Sequence, residues 1–401
     1  MKRLIFLLIL LLWSAGDPAR GQSIGASVDT ALTTPPFDAA LWFVLVEDED
    51  GRIIYERNAK QLAIPASVRK LFSSAAVATC LDVESQLETQ LWIDGEDVVI
   101  KGGGDPSFGS DRYGYEPEAA AFEPFLAALR ARGIVQVRDV IADVSMFDRV
   151  TLPYQWKLGN ITGDSATPVD ALVYSESDLG STAVPSPGHF AADAFRRALE
   201  AGGISVAGTI RTQSDARAWA SHIASVPSPF VYDLLATVLK PSHNLFAETL
   251  LKRVSAYGGK PASYDESRER ERMFLIGEVG IDENSFRFVD GSGLAPDDLV
   301  TPAAIVKMLR WMNAPVRRGI YWNLLAAPAE REGTLRSRLT PLSDRLRGKT
   351  GTVAGVNSLA GIIRGRNGGY RYFAVIVNHH LGYSSAASRL IDGIVGAAAE
   401  F

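Results

Sequence analysis

The sequence contains a serine and a lysine at a spacing that could support acyl transfer. Ser67 precedes Lys70 by three positions, and residues at this spacing share one face of a helix. A serine hydroxyl becomes a strong nucleophile when a neighbouring base takes its proton. A lysine amine can be that base only when it is neutral, and burial or neighbouring cations lower its pKa toward that state. This SxxK motif therefore predicts Ser67 as a nucleophile and Lys70 as its base.

A second motif, SxN, begins at Ser242 and ends at Asn244. A hydroxyl at this place could relay a proton to the leaving amine, which is the role that we expect for Ser242. The amide of Asn244 could bind the amide on the acyl side of the scissile bond.

A third motif is KTG followed by a further hydroxyl residue, and it runs from Lys349 to Thr352. On a strand, Lys349 and the hydroxyls of Thr350 and Thr352 could hold a substrate carboxylate. Gly351 has no side chain, so a substrate backbone could lie close to it. The backbone N–H groups of Ser67 and Thr352 could form an oxyanion hole.

Each motif alone also has an ordinary structural interpretation. SxxK fits a helix start followed by a solvated lysine, SxN fits a turn, and KTG fits the end of a strand. Each pattern occurs once, and the three follow one another in this order. Their combination predicts a serine acyl-transfer enzyme.

The chain begins with the pattern of a secretory signal peptide. Basic residues 2–3 precede an apolar run at residues 4–13, which is too short to span a bilayer, and small residues follow. Cleavage would fit after Gly16 or Gly21, and Gly21 is favoured, so residues 1–21 are expected to be removed. No later segment resembles a transmembrane helix. We therefore expect an exported protein of the periplasm or cell envelope.

Composition limits the remaining possibilities. A chain of 401 residues suggests two or three domains. The formal net charge of −5 argues against a general affinity for nucleic acid or anionic lipid. The histidines show no metal-ligand spacing, and we expect no metal and no cofactor. The single cysteine, Cys80, lies in an apolar run and is expected to pack as a small apolar side chain.

The pattern of strands and helices indicates an α/β (α+β) fold. Residues 41–47 and 52–56 read as a hairpin before the Ser67 helix, and residues 356–363 and 371–378 as strands before a helix at 384–399. The two ends of the chain thus predict one domain with a sheet and helices.

The middle of the chain predicts a second domain. Residues 86–228 mix short strands with helices and turns rich in glycine and proline. We expect a catalytic domain formed by residues 22–85 and 229–401, interrupted by an inserted domain at 86–228.

Longer segments around the motifs carry a family resemblance. These segments are Ile64–Leu71 (IPASVRKL), Lys101–Pro106 (KGGGDP), Ser242–Glu248 (SHNLFAE), Asp290–Leu294 (DGSGL), Gly348–Thr352 (GKTGT) and Ser358–Gly361 (SLAG). With them the chain resembles the D-alanyl-D-alanine carboxypeptidase/endopeptidase family. This is peptidase family S13, the DacB type of low-molecular-mass class C penicillin-binding proteins, and the resemblance covers nearly all of the mature chain.

The resemblance implies a transpeptidase/β-lactamase-like domain, an antiparallel sheet with helices on both faces, interrupted by an insert after the SxxK helix. It implies an acyl-enzyme at Ser67, peptidoglycan stem peptides as substrates and β-lactam antibiotics as inhibitors. The SxN and KTG residues take the roles given above. We expect the KGGGDP and DGSGL segments to be mainly structural.

The chain also departs from the family pattern. Residues 71–241 are a short span, so a nested third domain is expected to be reduced or absent. His243 stands where aspartate is usual and should point away from the site. An acidic residue often follows Trp156, whereas residues 157–160 are Lys-Leu-Gly-Asn and Asp164 comes later. This leaves a preference for a diaminopimelate side chain open.

Two other functions remain as alternatives. A β-lactamase or esterase on the same scaffold would need a residue that activates water for fast deacylation, and the sequence shows no dedicated glutamate for this. A binding module that holds wall peptides without turnover would not need Ser67 and Lys70, so their presence weighs against it.

Overall fold

In the computed structural model, the described residues are 18–115, 118–157, 166–177, 182–366 and 368–400. The strands are β1 (Leu41–Asp48), β2 (Ile53–Arg57), β3 (Gln86–Asp94), β4 (Asp97–Lys101), β5 (Gln136–Val137), β6 (Val140–Asp143), β7 (Ser205–Val206), β8 (Ile210–Gln213), β9 (Ser221–Phe230), β10 (Phe286–Arg287), β11 (Leu299–Val300), β12 (Leu346–Val353), β13 (Val356–Arg364) and β14 (Tyr370–Asn378). The helices are α1 (Pro18–Thr33), α2 (Lys70–Cys80), α3 (Glu123–Arg130), α4 (Pro187–Ala201), α5 (Val231–Leu239), α6 (Asn244–Arg253), α7 (Tyr264–Gly277), α8 (Pro302–Met312), α9 (Arg318–Leu324) and α10 (Ser384–Ala399).

Strands from the two ends of the chain form one antiparallel sheet. Its order is β12-β13-β14-β1-β2, and β1 pairs with β14 so that Leu41 lies opposite Asn378. The hairpin and the two late strands that the sequence predicts thus belong to the same sheet. This sheet places the KTG strand, β12, at its edge.

Alternate residues of β1 bury opposite faces of this sheet, as the period of a strand requires. Phe43 and Leu45 join a core formed with α2 and α5 to α9. Trp42, Val44 and Val46 join a second core formed with α1 and α10. Each fully buried Val, Leu or Phe side chain contributes roughly 1.5–3 kcal/mol of transfer free energy. The predicted fold class, an antiparallel sheet with helices on both faces, is confirmed.

Residues between α2 and the SxN motif form a separate sheet. Its order is β8-β6-β4-β3-β9, with parallel pairing of β6 to both β4 and β8 and antiparallel pairing of β3 to both β4 and β9. Helices α3 and α4 cover it with a core of their own. The division into 22–85 plus 229–401 and 86–228 stays a prediction, which this separate sheet and core support.

Three features differ from the sequence interpretation or lie beyond it. Strand β9 was not predicted. Helix α1 begins at Pro18 and therefore includes the last residues of the predicted signal peptide, while residues 1–17 lie outside the described residues. Cys80 is exposed at the end of α2, so the expectation that it packs as an apolar side chain was wrong.

Within the described part of the chain, no helix is both long and apolar enough to cross a membrane.

Candidate active site

Ser67 lies at the start of the SxxK helix. A 3₁₀ turn at Ala66–Arg69 leads directly into α2. Ala66 adopts a left-handed φ of 48°, and a Cβ on Gly293 would lie 2.0 Å from the Ala66 carbonyl oxygen. Only glycine at 293 therefore allows the DGSGL segment to pack against this turn. The partial positive charge of the helix N-terminus favours a developing alkoxide on Ser67.

Lys70 is fully buried and makes three contacts through its amine. Its Nζ lies 2.8 Å from Ser67 Oγ, 2.6 Å from Asn244 Oδ1 and 2.7 Å from the Ser292 carbonyl oxygen. A neutral amine has two N–H groups and one lone pair. Since two of the three neighbours are carbonyl oxygens, which can only accept, they take the two N–H groups. The lone pair is then left for the hydroxyl proton of Ser67.

The surroundings of Lys70 favour this neutral state near pH 7. Burial lowers the pKa of Lys70 from 10.5 to about 7, although the carboxyl groups of Asp290 and Glu248 act in the opposite direction. A general base is most effective when its pKa is close to the working pH. The SxxK pair therefore has both the geometry and the electrostatics of a nucleophile and its base.

Two buried carboxyl groups hold the loop that presents Ser292 to Lys70. Glu248 accepts the backbone N–H of Gly291 at 2.9 Å and that of Ser292 at 2.7 Å. Asp290 accepts the backbone N–H of Gly293 at 2.7 Å. The DGSGL segment is thus more than a supporting turn, because it supplies an acceptor for the base itself.

The same carboxyl groups limit the negative charge near Lys70. Burial and, to a smaller extent, the adjacent Asp290 raise the pKa of Glu248 to about 8. Burial also raises the pKa of Asp298 well above 3.8. For Asp290, hydrogen bonds from Asp298, the backbone and Trp156 outweigh burial and lower the pKa. At neutral pH these shifts favour a protonated Glu248 beside an ionised Asp290.

Ser242 and Lys349 form the second half of the site. Lys349 is fully buried, and its Nζ donates to Ser242 Oγ at 2.7 Å and to the Thr350 carbonyl oxygen at 2.8 Å. Ser242 holds this position with a left-handed φ of 71°. Burial lowers the pKa of Lys349 well below 10.5, and nearby Lys70 lowers it further. No carboxylate of the described residues pairs with Lys349.

The KTG strand fits tightly against the nucleophile. A Cβ on Gly351 would lie 2.3 Å from Ser358 Oγ, 2.7 Å from the Pro65 carbonyl oxygen and 2.9 Å from Ser67 N. Glycine is required here because the protein's own backbone, rather than only a substrate, lies close. Thr350 Oγ1 donates to Thr334 Oγ1 at 2.7 Å.

Thr352 lies at the exposed rim of the site. Its Oγ1 accepts from Asn357 Nδ2 at 3.2 Å, and Asn357 Oδ1 lies 2.8 Å from His380 Nε2. His380, two residues beyond the end of β14, therefore orients Asn357, which contacts the KTG motif through Thr352. Among the described residues, no group of three His, Cys, Asp or Glu side chains could hold a metal ion.

Six of the eight predicted site residues form two hydrogen-bonded groups: Lys70 with Ser67 and Asn244, and Lys349 with Ser242 and Thr350. Of the other two, Gly351 lies against Ser67 N, and Thr352 bonds to Asn357. Thr334 and the carbonyl of Ser292 were not predicted as parts of the site. Ser292 belongs to the DGSGL segment, which was noted in the sequence but expected to be structural. His243 is turned toward Glu176 of the inserted segment, at 2.7 Å from Nε2 to Oε2. Residues 158–160 and Asp164, raised in connection with side-chain preference, lie outside the described residues.

Comparison with known proteins gives one consistent result. The model of the D-Ala-D-Ala carboxypeptidase 3 (S13) family matches residues 24–185 and 175–401. Carboxypeptidase DacB of Mycolicibacterium smegmatis is 29% identical over 384 residues, which cover 91% of this chain and 82% of that protein.

Solved structures show the same fold. Penicillin-binding protein 4 (dacB) of Haemophilus influenzae superposes with a TM-score of 0.81 at 20% sequence identity, covering 92% of this chain and 98% of that one. The same protein in complex with a β-lactam superposes with a TM-score of 0.71 at 20% identity and the same coverage.

Proposed function

The chain belongs to the D-Ala-D-Ala carboxypeptidase 3 (S13) family, and we propose how its residues cleave D-alanyl-D-alanine bonds. The family resemblance predicted from the sequence is confirmed, and the protein is a serine-type D-Ala-D-Ala carboxypeptidase, a hydrolase. The observation that carries the mechanism is the set of contacts around Lys70 Nζ, to Ser67 Oγ and two carbonyl oxygens.

In the acylation step, neutral Lys70 takes the hydroxyl proton of Ser67 as Ser67 Oγ attacks the carbonyl carbon of the penultimate D-alanine. The bond to the terminal D-alanine nitrogen breaks, and an ester forms on Ser67. The backbone N–H groups of Ser67 and Thr352 stabilise the oxyanion. Gly351 lies close to Ser67 N, since a Cβ added to Gly351 would be 2.9 Å from that nitrogen, and this closeness supports the arrangement.

The leaving amine needs a proton, and the terminal carboxylate needs a counter-charge. Ser242 Oγ lies 2.7 Å from Lys349 Nζ, and we assign it the proton relay. It gives a proton to the leaving amine and receives the one that Lys70 took from Ser67, so that Lys70 is neutral again for deacylation. Lys349 is buried and has no carboxylate partner among the described residues. A substrate carboxylate would pair with Lys349 and favour its charged form, with the Thr350 and Thr352 hydroxyls as further donors. Asn244 would bind the acyl-side amide.

Deacylation uses the same groups in reverse order. Lys70 takes a proton from a water molecule, the water oxygen attacks the ester carbonyl, and Ser67 recovers its proton. Stem peptides of peptidoglycan that end in D-Ala-D-Ala, or cross-links with the same bond, are the substrates in this account. β-Lactams would acylate Ser67 and release slowly, which the β-lactam complex of the Haemophilus influenzae protein supports.

These substrates lie outside the cytoplasmic membrane. We therefore propose that the protein is exported, and the signal-peptide pattern of residues 1–21 supports this. N-terminal sequencing of the protein purified from its own cells would show a chain that begins after Gly21. A chain that still carries the apolar run of residues 4–13 would contradict export by this route.

Release of D-alanine tests the proposed reaction. The wild type should release D-alanine from a peptide that ends in D-Ala-D-Ala. It should leave intact a control peptide that ends in L-Ala-L-Ala. Ser67→Ala should be inactive. Ser74→Ala, which removes a buried hydroxyl on the same helix, is the matched control and should remain active. Rapid hydrolysis of benzylpenicillin without release of D-alanine would instead indicate a β-lactamase, and binding without either reaction a wall-peptide binding module.

A further inference from the structure

The inserted segment contacts the SxN motif through one hydrogen-bonded side-chain pair. His243 Nε2 lies 2.7 Å from Glu176 Oε2, and both side chains are largely withdrawn from solvent, at 22% and 17% exposed. The two residues are far apart in sequence and belong to the predicted catalytic and inserted parts, respectively. Nothing in the family motifs points to this contact.

Glu176 is held in place from two sides. Its Oε1 accepts from Ser110 Oγ at 2.6 Å and from Arg112 Nε at 3.2 Å. Its backbone lies in a run of three consecutive left-handed residues, Ser175, Glu176 and Ser177, with φ of 48°, 53° and 50°. Non-glycine residues keep this conformation only where the surrounding structure imposes it, and such strain is concentrated at functional sites.

The direction of the hydrogen bond between His243 and Glu176 follows from the surroundings of Glu176. Burial alone would raise the pKa of Glu176, but hydrogen bonds and charges from His243, Ser110 and Arg112 outweigh it and lower the pKa to about 2. An ionised carboxylate can only accept, so His243 Nε2 must carry the donated hydrogen. His243 Nδ1, the other ring nitrogen, is buried and has no hydrogen-bond partner among the described residues.

His243 connects this contact to the reacting groups on both of its sides. Ser242 precedes it with a left-handed φ of 71° and accepts from Lys349, and Asn244 follows it and accepts from Lys70 at 2.6 Å. The His243 ring also packs edge-on against Phe246, with ring centroids 4.7 Å apart. Fixing the His243 side chain therefore limits the movement of both functional neighbours.

We propose that Glu176, through its hydrogen bond to His243, is a positioning residue that orients Ser242 and Asn244 for acylation of Ser67. The inference rests on the proposed function, since it assigns these two residues to the acylation step. It makes the inserted segment a working part of the active site.

A double-mutant cycle tests this inference. The variants are Glu176→Ala, His243→Ala, the double variant, and His243→Gln, whose amide can replace the Nε2 donor. A shift of the order of 1 Å at a catalytic group can cost about 100-fold in rate, so each alanine variant should lose about 10- to 100-fold in kcat for the D-Ala-D-Ala peptide. KM should change far less. The double variant should be no slower than either single variant, and His243→Gln should recover most of the rate.

Asp215→Ala is the matched control, because it removes an exposed ion pair with Arg149 in the same inserted part, and it should keep wild-type kcat. Wild-type kcat in either single alanine variant, or multiplicative losses in the double variant, would overturn the inference. The inference would also be overturned if His243→Gln and His243→Ala lost kcat equally and both had a lowered melting temperature. The pair would then have a purely structural role. An inactive wild type would count against the proposed function instead.

Discussion

Lys70 and its three oxygen neighbours carry the chemistry of the site. Asn244 Oδ1 at 2.6 Å and the Ser292 carbonyl at 2.7 Å can only accept, so Ser67 is the one of these three neighbours that can give a proton to the amine. The spacing of SxxK predicts that serine and lysine meet, because three positions bring them to one helix face. It does not predict Ser292, which is 222 residues away from Lys70 in sequence.

The pKa of Lys70 gives the first prediction at this scale. Only the neutral amine accepts a proton, and burial lowers its pKa to about 7. The rate constant for acylation by benzylpenicillin should therefore rise with pH up to about 7 and level off above it. Below that pH it should fall about tenfold per pH unit.

Lys70→Met should lower the rate at its plateau by about 10²- to 10⁴-fold and remove this dependence on pH. Stopped-flow measurements from pH 5 to 9 would show both effects. A wild-type profile that is flat across this range would contradict Lys70 as the base.

The backbone at Gly351 gives a second prediction. Because an added Cβ would lie 2.3 Å from Ser358 Oγ and 2.9 Å from Ser67 N, Gly351→Ala should displace the KTG strand. Acylation should slow by about 100-fold, as expected for a misplacement near 1 Å. Gly393→Ala is the control, since a Cβ there meets nothing within 4 Å on a helix, and it should leave acylation unchanged and add about 1 kcal/mol of stability. Equal rates for Gly351→Ala and the wild type would count against the tight fit.

Packing between elements keeps the SxxK turn in place. Arg69, at the end of that turn, is fully buried and forms a two-pronged pair with Glu271 of α7, both distances being 2.6 Å. The guanidinium also lies 3.9 Å from the centroid of the Phe288 ring. The turn, α7 and the segment before DGSGL are thus joined by one cation.

Glu271→Gln tests the contribution of this pair. The change leaves Arg69 buried without its counter-charge, and the free energy of unfolding should fall by about 3 kcal/mol. Urea denaturation should show a lower midpoint with an unchanged slope. The control is Glu123→Gln, whose pair with Arg130 is exposed, and it should have little effect. If both variants unfolded at the wild-type midpoint, the pair would not stabilise the turn.

Helices and strands were predicted correctly where neighbouring residues in the sequence carry the pattern. The run of β-favouring residues in β1 and the unbroken helix formers after Ser67 gave elements close to those observed. Strand β9 was missed because Pro227 and Pro229 interrupt it. It tolerates these residues because it is an edge strand, paired only with β3 in its sheet. Helix α1 was missed because its first turn overlaps the predicted signal peptide.

At the scale of the whole molecule, the site depends on contacts between distant parts of the chain. The KTG strand comes from the end of the chain, SxxK from near its beginning, and Glu176 and Trp156 from between them. Trp156 Nε1 donates to Asp290 Oδ2 at 2.8 Å, so the middle of the chain also supports the loop that faces Lys70. The motifs predict the chemistry of the site, whereas these long-range supports depend on the tertiary fold and have no local pattern.

Every step of the proposed reaction requires that Ser67 becomes acylated. The most direct test is the intact mass of the protein after brief exposure to benzylpenicillin, with Ser67→Ala measured in parallel. Acylation of Ser67 should give a single adduct with the mass of the drug on the wild type and none on Ser67→Ala. A wild type that stays unmodified while the drug remains intact, or an adduct of equal amount on Ser67→Ala, would contradict it.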